Sequence, residues 1–131
     1  MTPLQTGKAA NGDITLHYAL CAAIPEQPWV IFCHGFPGLG YSWRHQLPAV
    51  AAAGFNAVAF DQRGYGSSSR PHDPALYDSD RGVGDVLALM AHFGLEHAVL
   101  VGHDFGAAQV YNVAVRHPER VSAVVGVACP Y

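Results

Sequence analysis

Four short runs, apolar almost throughout, recur along the chain: Trp29–Cys33, Asn56–Phe60, Ala98–Val101 and Val121–Ala128. This recurrence limits the possible folds more than any other feature. A run that stays apolar on both alternating faces belongs to a strand covered on both sides. Helix-patterned segments separate these runs. Leu47–Ala53 has Pro48 in its first turn and Gly54 at its stop. Ser79–Phe93 sets Val83, Val86, Leu87 and Met90 on one face and ends at Gly94. Phe105–His117 is closed by Pro118. Apolar strands alternating with helices predict an α/β fold, a mostly parallel sheet with helices on both faces. The N-terminus differs. Ile14, Leu16 and Tyr18 alternate with polar residues as in a half-buried strand, and Asn11-Gly12 reads as a hairpin turn from a strand near Leu4–Ala9.

Sheets of this class carry their chemistry in loops beyond the carboxyl ends of the strands. Gly102-His103-Asp104-Phe105-Gly106 lies between a predicted strand and a predicted helix. It has the G-x-nucleophile-x-G form of a nucleophile elbow, with Asp104 as the nucleophile. The turn is so tight that the residues two before and two after the nucleophile must be small. The helix behind it aims its positive dipole end at the carboxylate. The same five residues also fit a plain strand-to-helix turn with an aspartate cap. His34-Gly35-Phe36-Pro37 follows the earlier buried strand. It reads either as an ordinary Gly/Pro turn or as a loop whose Phe36 N–H faces the crevice, with Pro37 fixing the turn through a cis bond. Taken together, the two loops describe an oxyanion hole built from the Phe36 and Phe105 N–H groups beside Asp104.

Other motifs carry less. Asp61-Gln-Arg-Gly-Tyr-Gly66 lacks the third glycine of a dinucleotide fingerprint and leads into polar loop, so it reads as a structural turn in which Asp61 and Arg63 bond locally. Eight histidines form neither H-E-x-x-H nor a Cys/His cluster, so no metal and no cofactor are expected. His17, His45, His72, His92, His97 and His117 read as surface or strand-end residues. His34 and His103, in the site loops, read as structural hydrogen-bonders. Cys21, Cys33 and Cys129 are odd in number and widely spaced, which favours buried thiols over a disulfide or metal site. With no signal-peptide pattern at the N-terminus, the expected location is cytoplasmic. Seven Lys+Arg against ten Asp+Glu leave no basic surplus for nucleic acid or an anionic membrane. Half the residues are apolar and only 13% are charged, which excludes a disordered chain and predicts apolar surface needing cover.

These motifs, in this order, carry a family likeness. His34-Gly-Phe-Pro37, Tyr41-Ser-Trp-Arg-His-Gln46, Asp61-Gln-Arg-Gly-Tyr-Gly66, Val101-Gly-His-Asp-Phe-Gly106 and His117-Pro-Glu-Arg-Val121 resemble the N-terminal half of an α/β-hydrolase, specifically an epoxide hydrolase. The likeness runs from Ile14 to Tyr131. It implies that Asp104 attacks an epoxide carbon to form an alkyl-enzyme ester, which a His-activated water then hydrolyses to a vicinal diol. Phe36 and Phe105 would hold the oxyanion, and Phe36, Phe105 and Tyr131 would contact an apolar epoxide. In the family, cap tyrosines supply the acid, and the orienting carboxylate and base His follow later in the chain. Residues 1–131 then form the N-terminal portion of the core domain, with the cap and the C-terminal core segment absent and no turnover expected from this portion alone. The exposed sheet edge would be covered by the remainder of the hydrolase chain or by a homo-oligomer. Two alternatives remain. Haloalkane and haloacetate dehalogenases use the same nucleophile, but they cradle the halide with side-chain donors that neither Phe105 nor Phe36 has. An inactive structural or partner-binding half-domain is the other.

Overall fold

The computed structural model describes residues 4–128. A six-stranded sheet runs in the order β1-β2-β4-β3-β5-β6. Its strands are β1 Leu4–Asn11, β2 Ile14–Cys21, β3 Trp29–Cys33, β4 Asn56–Phe60, β5 Ala98–His103 and β6 Val121–Val127. The helices are α1 Gln46–Ala52, α2 Ser79–His92 and α3 Phe105–Arg116. β3 pairs parallel with β4 and with β5, and β5 pairs parallel with β6. The β1–β2 hairpin adds antiparallel pairings at one side. Asn11 and Ile14 close that hairpin around Gly12, whose φ of 59° suits a residue without Cβ.

The apolar runs divide their side chains between two layers, as strand alternation requires. Ile31, Cys33, Val58, Phe60 and Leu100 point to one face and pack against Val86, Leu89 and Met90 of α2 and Val110 and Val113 of α3. Val30, Phe32, Ala57 and Ala59 point to the other, where Leu47 and Val50 of α1 meet them. A fully buried Leu or Val contributes about 1.5–3 kcal/mol, so these layers hold the central strands and, through them, the loops at their ends. Polar Asn56 opens an otherwise apolar strand because its amide clamps the β2–β3 connection. It donates to the Ile24 carbonyl at 2.9 Å and accepts from the Ile24 N–H at 2.8 Å.

Three expectations need correction. Val121–Ala128 read as a buried strand, but β6 is the sheet edge, with Val125 47% and Val127 43% exposed. Its apolar sequence suits a strand covered on both sides, and among the described residues it pairs with β5 alone. The loop after Asp61 contains a short 3₁₀ turn, Pro74–Tyr77, capped by the Asp73 side chain. Arg63 bonds far from home rather than locally. Its guanidinium grips buried Asp85 of α2 through two bonds of 2.7 Å and donates to the Leu76 carbonyl, and Asn11 of the hairpin turn joins at Asp85 Oδ1. A planar fork desolvated by the core needs a two-oxygen partner, and both oxygens of buried Asp85 on the helix are turned to it. Asp61 acts locally in accepting from the Ser67 N–H, but it also accepts from the distant Gly40 N–H. Cys21 and Cys33 are buried thiols, and burial pushes the Cys33 thiol up to about 12. Cys129 and Tyr131 lie outside the described residues. No described helix is long and apolar enough to cross a membrane.

Candidate active site

β3 and β5 are adjacent and parallel, with Cys33 opposite Gly102, so the loops leaving them emerge at the same sheet end. This brings His34–Pro37 against Gly102–Gly106. Asp104 sits at the strand-to-helix corner with φ 58° and ψ −120°, a backbone conformation that strains a residue bearing a Cβ. Three glycines make room for it. A Cβ on Gly102 would overlap the Gly106 carbonyl and lie 2.6 Å from the Ala107 nitrogen. One on Gly106 would overlap the Cys33 carbonyl and lie 2.6 Å from that of His34, and one on Gly35 would lie 2.6 Å from Asp104 Cβ. The required smallness two residues either side of Asp104 is therefore met by backbone packed on backbone. Ala107, fully buried, brings the first turn of α3 onto the sheet.

The strained corner presents the carboxylate. Phe36 N–H donates to Asp104 Oδ2 at 3.1 Å. The backbone N–H groups of Phe36 and then Phe105, with a further contribution from His103, hold the Asp104 carboxyl below its ordinary value of 3.8. Asp104's own N–H donates to the Val127 carbonyl at 3.0 Å, tying the corner to β6. The Phe36–Pro37 bond is cis, as expected. The Phe36 and Phe105 rings stand edge to face, 6.1 Å apart, and are 62% and 65% exposed. Two large aromatic side chains left in solvent beside a carboxylate form an apolar wall for a ligand. Next to them a cavity of about 590 Å³ is lined by Phe36, Pro37, Trp43, Gln46, His103 and Val127. One carboxylate oxygen, Oδ2, is thus held by a backbone donor.

Sequence reasoning named Asp104, Phe36 and Phe105, and the fold brings all three together. Tyr131 cannot be placed. It missed Gln62, whose side chain donates to the His34 carbonyl at 2.6 Å and whose N–H donates to His34 Nε2 at 3.0 Å. The strand register places it there: β3 and β4 pair with Cys33 opposite Phe60, so the residues after Phe60 lie beside His34, and no motif marks that pairing in the sequence. It also missed the Val127 carbonyl, for which no side-chain pattern exists.

A tight strand–nucleophile–helix corner at the carboxyl ends of a parallel sheet, facing backbone donors on the neighbouring loop, defines a hydrolase of one architecture. The alpha/beta hydrolase fold profile matches residues 28–130, and the chain belongs to that family. Among curated relatives, Epoxide hydrolase A of Mycobacterium tuberculosis is 50% identical over 109 residues, which are 83% of this chain and 34% of that protein. The epoxide hydrolase of Caballeronia sordidicola is 46% identical over 123 residues, 94% of this chain and 36% of that one. The crystal structure of epoxide hydrolase A from Mycobacterium thermoresistibile superposes with a TM-score of 0.93 at 41% identity, covering 98% of this chain and 40% of that one. The chain thus spans about a third of the length of the curated relatives it matches.

Proposed function

We propose that this chain carries the nucleophile portion of an epoxide hydrolase. The observation that supports it best is the Asp104 carboxylate, exposed at a strained elbow with Oδ2 on the Phe36 N–H. In this reading the free oxygen attacks an epoxide carbon. The C–O bond of the ring breaks, its electron pair passes to the ring oxygen, and a general acid protonates the resulting alkoxide. Water, deprotonated by a general base, then attacks the ester carbonyl carbon. The developing oxyanion lies where Oδ2 now sits, against the N–H groups of Phe36 and Phe105. Its collapse breaks the bond from Asp104 Cγ to the alkyl oxygen, which takes up the proton held by the base and leaves in the diol as the Asp104 carboxyl is restored. The exposed Phe36 and Phe105 rings contact the apolar part of the substrate, and Tyr131 joins them. Residues 1–131 act as the N-terminal portion of the core domain. The cap, the acid and the base come from the rest of the hydrolase chain, which also covers the β6 edge. Buried thiols and a modest net charge of −3 suit a cytoplasmic protein.

One experiment separates the candidate reactions. The gene-encoded protein is mixed with an epoxide or a haloalkane, quenched with acid at early times and digested. The Asp104 peptide is then weighed. An epoxide adds its whole mass, because no atom leaves. A haloalkane adds its mass less one hydrogen halide, because the halide departs. Label from the epoxide alone is the expected result. Label from the haloalkane alone makes the protein a dehalogenase. No adduct from either, with the protein folded, removes the nucleophile role and favours a structural half-domain.

The 131-residue chain by itself should form no diol. Among the described residues, Asp104 has no side-chain acid or base bonded to it, and an unprotonated alkoxide is too poor a leaving group to depart from carbon. Chromatographic assay of the pure monomeric chain checks this. Multiple turnovers would assign proton transfer to His103 or His34.

A further inference from the structure

The Gly35–Phe36 peptide is gripped from both ends. Its N–H donates to Asp104 Oδ2, and its carbonyl lies 2.9 Å from His34 Nδ1. A trans peptide is planar, with C=O and N–H pointing in opposite directions, so whatever holds the carbonyl aims the N–H. The His34 ring is itself fixed. Its Nε2 faces the Gln62 backbone N–H at 3.0 Å. A backbone N–H can only donate, so Nε2 is the bare nitrogen, and in the neutral ring Nδ1 carries the proton and donates to the Gly35 carbonyl. Gln62 closes the loop by donating its side-chain amide to the His34 carbonyl at 2.6 Å. The ring is 1% exposed and meets Tyr65 edge to face at 4.9 Å.

We propose that His34, in its neutral Nδ1–H form and held by Gln62, is a positioning residue that turns the Gly35–Phe36 peptide so that the Phe36 N–H serves the oxyanion hole. This rests on the oxyanion role given to Phe36 above. His34 touches no reacting atom. It acts through one peptide plane, and protonation undoes it, because an imidazolium Nε2–H would face the Gln62 N–H donor. Burial lowers the His34 imidazole from its ordinary value of 6.5, against the Gly35 carbonyl bond and the Asp61 carboxylate, which raise it. The charged group acting on the ring is Asp61, whose carboxylate also lies 3.4 Å from His17 Nδ1. Tyr65 and His103 are the other titratable neighbours of this loop. Because the folded value is depressed, the protein keeps this contribution above pH 6.5 and loses it as the pH falls below that through the folded value.

The gene-encoded protein is labelled with ¹⁵N-histidine and the His34 tautomer read by NMR, which needs no catalysis. The Nδ1–H form is expected, with the Phe36 amide shifting as His34 titrates. His34→Asn keeps a donor for the Gly35 carbonyl but does not titrate, while His34→Leu keeps neither. Hydrolysis of the Asp104 alkyl-enzyme, the step that develops the oxyanion, should slow roughly 10- to 100-fold in His34→Leu, a share of the effect of losing an oxyanion donor. In His34→Asn it should recover to within about threefold of wild type and lose the acid limb due to His34. An Nε2–H tautomer overturns the proposal whatever the kinetics. So does a His34→Leu alkyl-enzyme that hydrolyses as fast as that of wild type. If wild type itself fails to alkylate, the epoxide reading falls, and the tautomer still reports separately on the Gln62–His34–Gly35 chain. Should His34→Leu not fold, the tautomer and the His34→Asn profile decide alone.

Discussion

Replacing Asp104 with Asn is expected to reduce epoxide opening by the gene-encoded protein at least about 10⁴-fold, the scale on which a lost nucleophile is felt. The substitution exchanges one oxygen for an amide nitrogen of nearly the same size. The Phe36 N–H keeps an acceptor, because the amide carbonyl can occupy the position of Oδ2. The strained φ of 58° is also tolerated, since Asn enters the positive-φ region more readily than most residues. Fold and donor therefore remain while the anionic nucleophile is gone, so kcat should fall with thermal stability unchanged within a degree or two. Stopped-flow or discontinuous diol assays beside a melting curve measure both. Activity retained within tenfold would show that attack comes from water rather than from Asp104, and the covalent route would be abandoned. In wild type the depressed Asp104 carboxyl stays ionised as pH is lowered toward the ordinary carboxylate range, so loss of alkylation nearer neutrality has to arise elsewhere.

Gly106→Ala should destabilise the protein by at least about 3 kcal/mol, beyond the usual range for one added methyl group. The new Cβ meets the Cys33 and His34 carbonyls, which belong to a central strand and to the loop leaving it and have nowhere to retreat. The melting temperature should drop by roughly 10 °C or more. Gly84→Ala is the informative companion. Gly84 lies inside α2, where a Cβ has only the Asn11 side chain near it, at 3.7 Å. The same substitution there removes a helix-interior glycine and should raise stability by about 0.5–1 kcal/mol. Denaturant melts of the two variants give opposite signs if the elbow is as tightly packed as described. A Gly106→Ala protein as stable as wild type would contradict the packing of α3 against β3.

Much of this arrangement was legible in the residues. Buried strands announce themselves when Val30, Ile31 and Phe32 follow one another, because only a sheet layered on both faces can use three such neighbours. Asp104 was legible because a corner so tight demands glycine at two fixed offsets. Arg63 was misread as a local turn residue, since its partner Asp85 lies on a helix 22 positions away and pairing at that range leaves no periodic trace. Gln62 was passed over because its work is done by a backbone N–H and a side-chain amide, neither of which marks a motif. The edge position of β6 was hidden for a different reason. Composition reports what a strand is suited to face, whereas its neighbours depend on topology, and Val125 and Val127 are suited to a cover that the described residues do not provide.

The bond from the Asp104 N–H to the Val127 carbonyl joins a strained backbone corner to an edge strand. Edge strands open in local fluctuations more readily than central ones. Each time the end of β6 frays, the corner loses a restraint and the aspartate is free to relax toward an unstrained dihedral. The conformation of Asp104 is in this sense coupled to how firmly the last strand is held against β5. Whatever lies against the outer side of β6 would therefore tune chemistry at Asp104 without approaching the carboxylate.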